Sequence, residues 1–552
     1  VPETLLDDPA TDGDDDGLSS WRDAVPPIDG WLARIGLVLL GLEAIVGIWL
    51  RFSSSPLLWL DEALTVNIAK LPLGQLHAAL KEDGAPPLYY LLLHFWMLVF
   101  GRSDFAVRSL SGVFSCATLV VVFVVVRRIW GRELAFLSLA ILLASSFATY
   151  YATETRMYAW VMFLVALGAL FLQRLFECPT WSRAVPFALV LVGLEYSHYW
   201  SIYLFITVAV WFVFVALWAR RAAFRRAALF GLGSFAAAGL CFLPWLPTFS
   251  YQQKHTGTPW GGAPNFKTAV VAVFHYNLNQ ASQIPKADLG QRGVELLMIL
   301  LMGLALFVAT TGPWRFSLRL RGQPRALLVA WLSLGTVVLG VLASHFSGAA
   351  FVPRYASVAY LPLVVFLALG TRAIWQPWLR VLLVGLMVLG TLFTGFEQHG
   401  TPRTEAGKVV SILDATAPAG SLVVFCPDQL GPSVMRILPS GEFTAVGYPR
   451  LDDPHYVNWV DYNDALAKAA RRLAHRPLRA VDQLASKAGG KPIFLVSALG
   501  YEHAGDLCTT LRTTLDQHMD ATTLLKGNGK IYFQSMTLTE YRARSSSSSS
   551  DS

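Results

Sequence analysis

Two adjacent carboxylates, Asp61 and Glu62, follow the first long apolar stretch of the chain within Trp59-Leu60-Asp61-Glu62-Ala63. A carboxylate held in a protein cleft can take the proton from an attacking hydroxyl, and burial raises its basicity for that task. A solvated surface pair would do neither. Here, however, the pair lies between a membrane-length run and the short apolar segment Leu88–Phe100, a setting that calls for a cleft. A second acidic candidate, Glu154, stands in a polar island at 150–158, two residues from Arg156. An internal Glu154–Arg156 salt bridge is the structural alternative. The basic candidates are Arg108 and Arg354, each at the end of an apolar run, with Tyr355 beside the second. Charge at membrane depth is costly and needs a partner; the arginine fork suits a phosphate, although snorkelling to lipid head groups would also satisfy it. His198, in Ser197-His198-Tyr199, is either an interfacial hydrogen bonder or a further contact on the phosphate side. The five cysteines form no C-x-x-C and no Cys/His ligand spacing, so neither a zinc site nor another divalent metal is indicated.

These residues need elements to carry them, and the composition says which. Of 552 residues, 54% are hydrophobic and 15% charged, far from a soluble domain and fitting a polytopic membrane protein. The net charge of +7 arises from Lys and Arg clustered between apolar runs, the topology signal of a membrane protein rather than a nucleic-acid footprint. Apolar runs at about 33–51, 108–127, 133–150, 158–175, 184–197, 200–219, 227–248, 293–312, 326–344, 355–371 and 378–395 predict about eleven spans. If they alternate, the arginine clusters around 127–132, 174–183, 220–226, 315–325 and 372–380 all share one side, the cytoplasmic one. Asp61, Glu62, Glu154, His198, the loop 249–292 and Arg354 then share the outer side. Leu88–Phe100 is too short to count and reads as a helix at the outer interface.

Four regions follow. Residues 1–32 form an acidic cytoplasmic tail without the basic region and apolar core of a cleavable signal, expected to be disordered; 33–398 form the membrane module. Residues 399–541 have a soluble composition, with buried strands at 421–426 and 492–498, helices around 463–486 and 503–517, and a hairpin at Gly527-Asn528-Gly529. This makes a small extracytoplasmic α/β domain in which Cys426 and Cys508 could pair. The Ser-rich 542–552 is a second disordered tail.

Taken in order, Leu58-Trp59-Leu60-Asp61-Glu62, Gly84-Ala85-Pro86-Pro87-Leu88-Tyr89-Tyr90, Phe100-Gly101-Arg102-Ser103-Asp104-Phe105-Ala106-Val107-Arg108, the island 151–158 and Pro353-Arg354-Tyr355 resemble the bacterial protein O-mannosyltransferase and aminoarabinose transferase group of the GT-C superfamily. The resemblance covers roughly 33–395 and implies a multi-span bundle with interfacial helices in its first outer loop. It implies transfer of a sugar from a polyprenyl phosphate to an acceptor at the outer face. In that group Asp61 matches the catalytic carboxylate and Glu62 its acidic neighbour; Glu154 falls where a second acidic loop residue stands, and Arg108 and Arg354 match donor-phosphate positions. Ala85 departs from the pattern, which often has His or Asn there.

The function expected is a cell-membrane glycosyltransferase with a polyprenyl-phosphate sugar donor, mannose or another hexose or pentose, and a glycan, lipid or protein acceptor. No Walker A motif or Rossmann fingerprint is evident, and an outward site would be out of reach of cytoplasmic nucleotide sugars. Asp61 would be the base and Glu62 and Glu154 would orient substrate, with Arg108, Arg354, His198 and Tyr355 on the phosphate side and inversion at the anomeric carbon. The alternative is a transporter of lipid or lipid-linked sugar. Such a protein places its ionisable residues near the bilayer midplane, not at span ends.

Overall fold

In the computed structural model of the chain, long apolar helices come first and a mixed sheet last. The structure describes residues 25–54, 57–258, 261–265, 267, 289–318, 323–498, 501 and 504–544. Most of the two tails and the middle of the loop expected at 249–292 lie outside the described residues.

Seven described helices are individually long and apolar enough to cross a membrane. They are α1 (Gly30–Phe52), α5 (Asp104–Trp130), α8 (Tyr158–Glu177), α10 (Ser201–Trp218), α14 (Pro324–Ser347), the segment Pro353–Ala373 and α16 (Pro377–Gly400, of which Pro377–His399 qualifies). Two bent pairs raise the number to nine: α6 (Arg132–Ala144) with α7 (Ser146–Ala152), bent by 59°, and α11 (Ala222–Phe242) with α12 (Leu246–His255), bent by 75°. The other two expected spans fall on α9 (Trp181–Glu195, 15 residues) and on α13 (Leu289–Phe307). The second stops short of residue 312 because the chain turns into a hairpin, β1 (Val308–Gly312) and β2 (Arg315–Leu318). The chain is a polytopic helical membrane protein.

The bend between α6 and α7 is stabilised from below by Arg51 at the end of α1. Breaking the helix at Ser145 releases backbone carbonyls, which cannot be left bare inside a membrane protein. Arg51 donates to Leu142 O at 2.8 Å, Leu143 O at 3.0 Å, Gly47 O at 2.8 Å and Ser115 Oγ at 3.0 Å. Ser145 Oγ then caps the new helix by accepting from Ala148 N at 3.0 Å.

Between α1 and α5 lie three shorter helices, α2 (Leu60–Ala69), α3 (Leu73–Asp83) and α4 (Leu88–Phe100). At 13 residues α4 spans about 20 Å, less than the roughly 30 Å of a hydrocarbon core. The turn from α3 to α4 requires glycine: Gly84 closes α3 at φ 84°, and a Cβ there would meet Thr256 Oγ1 at 2.7 Å.

The last region is a five-stranded sheet in the order β4-β3-β5-β7-β6: β3 (Leu422–Cys426), β4 (Thr444–Gly447), β5 (Ile493–Ser497), β6 (Met519–Leu525) and β7 (Thr537–Ala543). β3 pairs in parallel with β4 and β5, while β5–β7 and β7–β6 are antiparallel. Both expected strands, β3 and β5, are buried throughout, as their uninterrupted apolar runs require. Their alternation divides two faces. Val423, Phe425, Phe494 and Val496 pack with Ala406, Val409, Val410 and Leu413 of α17 (Ala406–Thr416). Leu422, Val424, Ile493 and Leu495 join the core that continues into the membrane module. Cys426, at the end of β3, is bonded to Cys508 on α21 (Gly505–His518).

Two local expectations are corrected. The helix expected over 463–486 is two, α19 (Tyr462–His475) and α20 (Pro477–Ala488), because Pro477 lacks the N–H that would continue the first. The tight hairpin at Gly527-Asn528-Gly529 is absent: β6 ends at Leu525 and its partner begins at Thr537, so 526–536 is a loop. Glu405 competes successfully for that backbone, accepting from Asn528 N and Met536 N at 3.0 Å each.

Candidate active site

Asp61 and Glu62 lie in the first turn of α2, where the positive end of the helix dipole favours carboxylates. Neighbours on a helix point about 100° apart, so the pair divides. Glu62 turns inward and is fully buried. Arg108, near the start of α5, grips both its oxygens at 2.7 and 2.6 Å. Thr155 N donates to Glu62 Oε1 at 2.9 Å, and Arg403 stands 3.4 Å from Oε2. Burial alone would raise this carboxyl, but Arg108, Arg403 and the Thr155 amide outweigh it and hold Glu62 below its ordinary value.

Asp61 turns to the opening. Its carboxylate meets Arg354 at 3.3 Å, with side-chain exposures of 17% and 19%, so both remain within reach of a ligand. The Arg354 guanidinium lies 5.8 Å from the Trp59 ring and 6.0 Å from that of Tyr355. Pro353 sets the first turn that delivers it.

Glu154 is buried beside them. Trp59 Nε1 donates to its Oε1 at 3.0 Å, and Ser111 Oγ holds its backbone carbonyl at 2.7 Å. Burial pushes its pKa to about 7; Arg403 pulls it down, and Glu62 pushes it up again. The internal Glu154–Arg156 bridge is replaced by other contacts: Arg156 Nη1 donates to Thr65 Oγ1 at 2.9 Å, tying the island to α2. His198 is also buried, its ring 5.7 Å from Tyr158 and 5.8 Å from Tyr355. Burial, with Arg156 and Arg354 nearby, pushes it down to about 3, so it is neutral. Its Nδ1 accepts from Trp200 N at 3.3 Å, which leaves the ring proton on Nε2 as a donor.

The structure therefore brings Asp61, Glu62, Glu154, Arg108, Arg354, His198 and Tyr355 to one region. Their environments differ, however. Arg108, besides gripping Glu62, donates to Ser54 Oγ and Leu57 O at 3.0 Å each, while Arg354 stands at the opening. Three contributors have no role assigned from the sequence. Trp59 sits within the quoted motif, and its indole is what fixes Glu154. Ala85, where a polar side chain is common in the resembled group, is buried and offers its carbonyl to Gln252 Nε2 at 3.3 Å. Arg403 carried no signal at all. It lies just ahead of the sheet domain, donates to Thr153 O and Oγ1 at 3.1 and 2.9 Å, and covers the Tyr150 ring at 4.4 Å. Arg403 also lines a small cleft with Ser53, Ser54, Thr149 and His399. Among the described residues no group of three or more His, Cys, Asp or Glu is placed to hold a metal ion.

Residues 84–247 match the family model of dolichyl-phosphate-mannose-protein mannosyltransferases. The chain aligns over 92% of its length with 98% of the apo crystal structure of ArnT from Cupriavidus metallidurans, at a TM-score of 0.53 and 14% identity. The undecaprenyl phosphate-bound structure of the same protein aligns over 91% of this chain and 97% of its own, at 0.50 and 13%. The oligosaccharyltransferase of Archaeoglobus fulgidus gives a TM-score of 0.42 at 11% identity, over 89% of this chain and 72% of that one. Comparison with curated protein sequences finds no match. The chain shares its overall fold with ArnT, and part of it matches the mannosyltransferase family model.

Proposed function

We propose that the chain is a membrane glycosyltransferase that moves a sugar from a polyprenyl-phosphate donor to an acceptor hydroxyl at the outer face of the membrane. The observation that carries this reading is the Asp61–Arg354 pair, a carboxylate and a guanidinium 3.3 Å apart, both partly open, on a rim of otherwise buried charges. The ArnT structure bound to undecaprenyl phosphate supports a lipid-phosphate donor for this fold. The arginine clusters between the apolar runs support a topology of eleven spans, with the amino terminus inside and the sheet domain outside, in which the rim faces outward.

The donor phosphate takes Arg354, with neutral His198 Nε2 and Tyr355 as further donors, and thereby loosens the Arg354–Asp61 contact. Asp61 is then free to accept the acceptor's proton. The acceptor oxygen bonds to the anomeric carbon while the bond from that carbon to the phosphate oxygen breaks. The electron pair leaves on the phosphate, whose charge Arg354 stabilises, and the anomeric centre inverts. In this scheme Arg108 serves the site through Glu62, holding α2 against α5, and the phosphate role falls to Arg354. Mannose is the first donor to try, on the strength of the family-model match, with pentose donors next.

The test is to incubate the purified protein in vesicles with a panel of polyprenyl-phosphate sugars and to identify the products by mass spectrometry. Release of polyprenyl phosphate with a new glycosidic bond is expected. Lipid crossing the bilayer with no bond made would identify a transporter instead.

A further inference from the structure

The loop 526–536 does more than join two strands. It is fastened along its length: Asn528 N and Met536 N to Glu405 at 3.0 Å each, Gly527 N to Thr537 Oγ1 at 3.1 Å, and Gln534 N to Arg403 O at 2.8 Å. Glu405 N returns a bond to Gln534 O at 3.1 Å. Arg403 is itself anchored on Thr153 and Glu62, so the loop has a fixed place relative to the carboxylates. It carries Phe533 to Trp59, two residues ahead of Asp61, with the rings edge to face at 4.9 Å. Phe533 nonetheless stays 38% exposed. Beyond the end of β5, Tyr501 packs against the apolar clusters on both faces of the sheet, one of which continues into the membrane module. It lies beside Gln534, and burial, to which the nearby Asp61 carboxylate adds, keeps its hydroxyl protonated.

We infer that the sheet domain supplies the acceptor side of the active site, and that Phe533 and Tyr501 form a platform for a sugar ring, making the acceptor a glycan. This rests on the glycosyl-transfer reading above. A hydroxyl that gives its proton to Asp61 must lie within about 3 Å of it, so the ring bearing that hydroxyl lies against the adjoining wall. On the donor side that wall is Arg354, suited to a phosphate. On the other side it is Phe533 and Tyr501, an uncharged aromatic surface. The apolar C–H face of a sugar ring packs on an aromatic side chain, and its hydroxyls pair with a phenol. A peptide hydroxyl would need neither.

The experiment uses the full chain in vesicles and reads two reactions of the same donor: transfer to a panel of octyl glycosides, and slow cleavage of the donor by water. Phe533→Ala and Tyr501→Ala are expected to raise the KM for the octyl glycoside at least tenfold, with the donor KM and donor hydrolysis within twofold of wild type. Phe533→Trp is expected to restore most of the loss. An unchanged acceptor KM with intact donor hydrolysis would overturn this inference alone. So would loss of donor hydrolysis alongside transfer, since that marks a structural role. Serine or threonine peptides accepting sugar better than every octyl glycoside would overturn the acceptor class. A wild-type protein that never cleaves the donor would remove the glycosyl-transfer reading itself.

Discussion

Asp61 and Glu62 are neighbours in sequence with opposite circumstances, and substitutions should separate them. Glu62→Gln leaves Arg108 and Arg403 buried opposite a neutral group, which should cost about 3–5 kcal/mol of stability, read as a lowered melting temperature in detergent. Asp61→Asn touches only a partly exposed pair and should cost no more than about 1 kcal/mol. Glu154 makes a pH prediction. Its carboxyl sits at about 7 in the folded chain against an ordinary 4.5. Between those values the folded state holds more protons than the unfolded one, so stability falls as pH rises through this window. Glu154→Gln should reduce that slope in melting curves taken from pH 4 to 8. Asp428, which burial also pushes to about 7, adds a slope of the same sign, and His198, held at about 3, adds one of opposite sign below its ordinary 6.5, so the Glu154→Gln difference is the readout. At this scale the sequence showed which side chains were out of place. Carboxylates and arginines at the ends of apolar runs must have partners, and Asp61, Glu154 and Arg354 stand out for that reason. Arg403 does not, since its partners Glu62 and Thr153 are brought to it by closure over hundreds of residues.

Among the elements, the apolar runs announced the helices because a membrane leaves the backbone little other choice. Their interruptions were hidden. Residues 133–150 read as one continuous span, yet the helix breaks at Ser145, and the cause lies in another helix. Arg51, which looks like a boundary cation in sequence, is fully buried beneath the break. Arg51→Met should leave the Leu142 and Leu143 carbonyls without it, at on the order of 1–3 kcal/mol for each orphaned group. The expected outcome is a destabilised or poorly extractable protein, checked by its melting temperature and monodispersity in detergent, with Arg51→Lys recovering only part of the loss. The loop 526–536 carries the same lesson. Its Gly-Asn-Gly turn signal is genuine local chemistry, and a distant buried carboxylate, Glu405, overrides it.

Across the whole molecule, the apolar core runs from the helical module into one face of the sheet, and polar contacts line the same seam. Arg436 pairs with Asp104 at 2.6 Å, Asn67 Nδ2 donates to His455 O at 2.9 Å, and Trp459 N donates to Glu82 O at 3.2 Å. Change of composition near residue 400 announced a second region. It could not announce that this region closes over α2, because the seam joins residues with no common motif. The Cys426–Cys508 bond ties β3 to α21 across 82 residues, a loop for which chain entropy suggests about 4 kcal/mol. Replacing both cysteines with serine should lower the melting temperature of the chain, and reductant should reproduce the shift in wild type and leave the variant unmoved.

The central claim is that Asp61 takes the acceptor's proton while Arg354 holds the leaving phosphate. Its most direct test is the turnover of Asp61→Asn, measured as sugar transferred from a polyprenyl-phosphate donor in vesicles. The account predicts a fall of about 10²- to 10⁴-fold with the donor KM and melting temperature little changed. Turnover equal to wild type would contradict it.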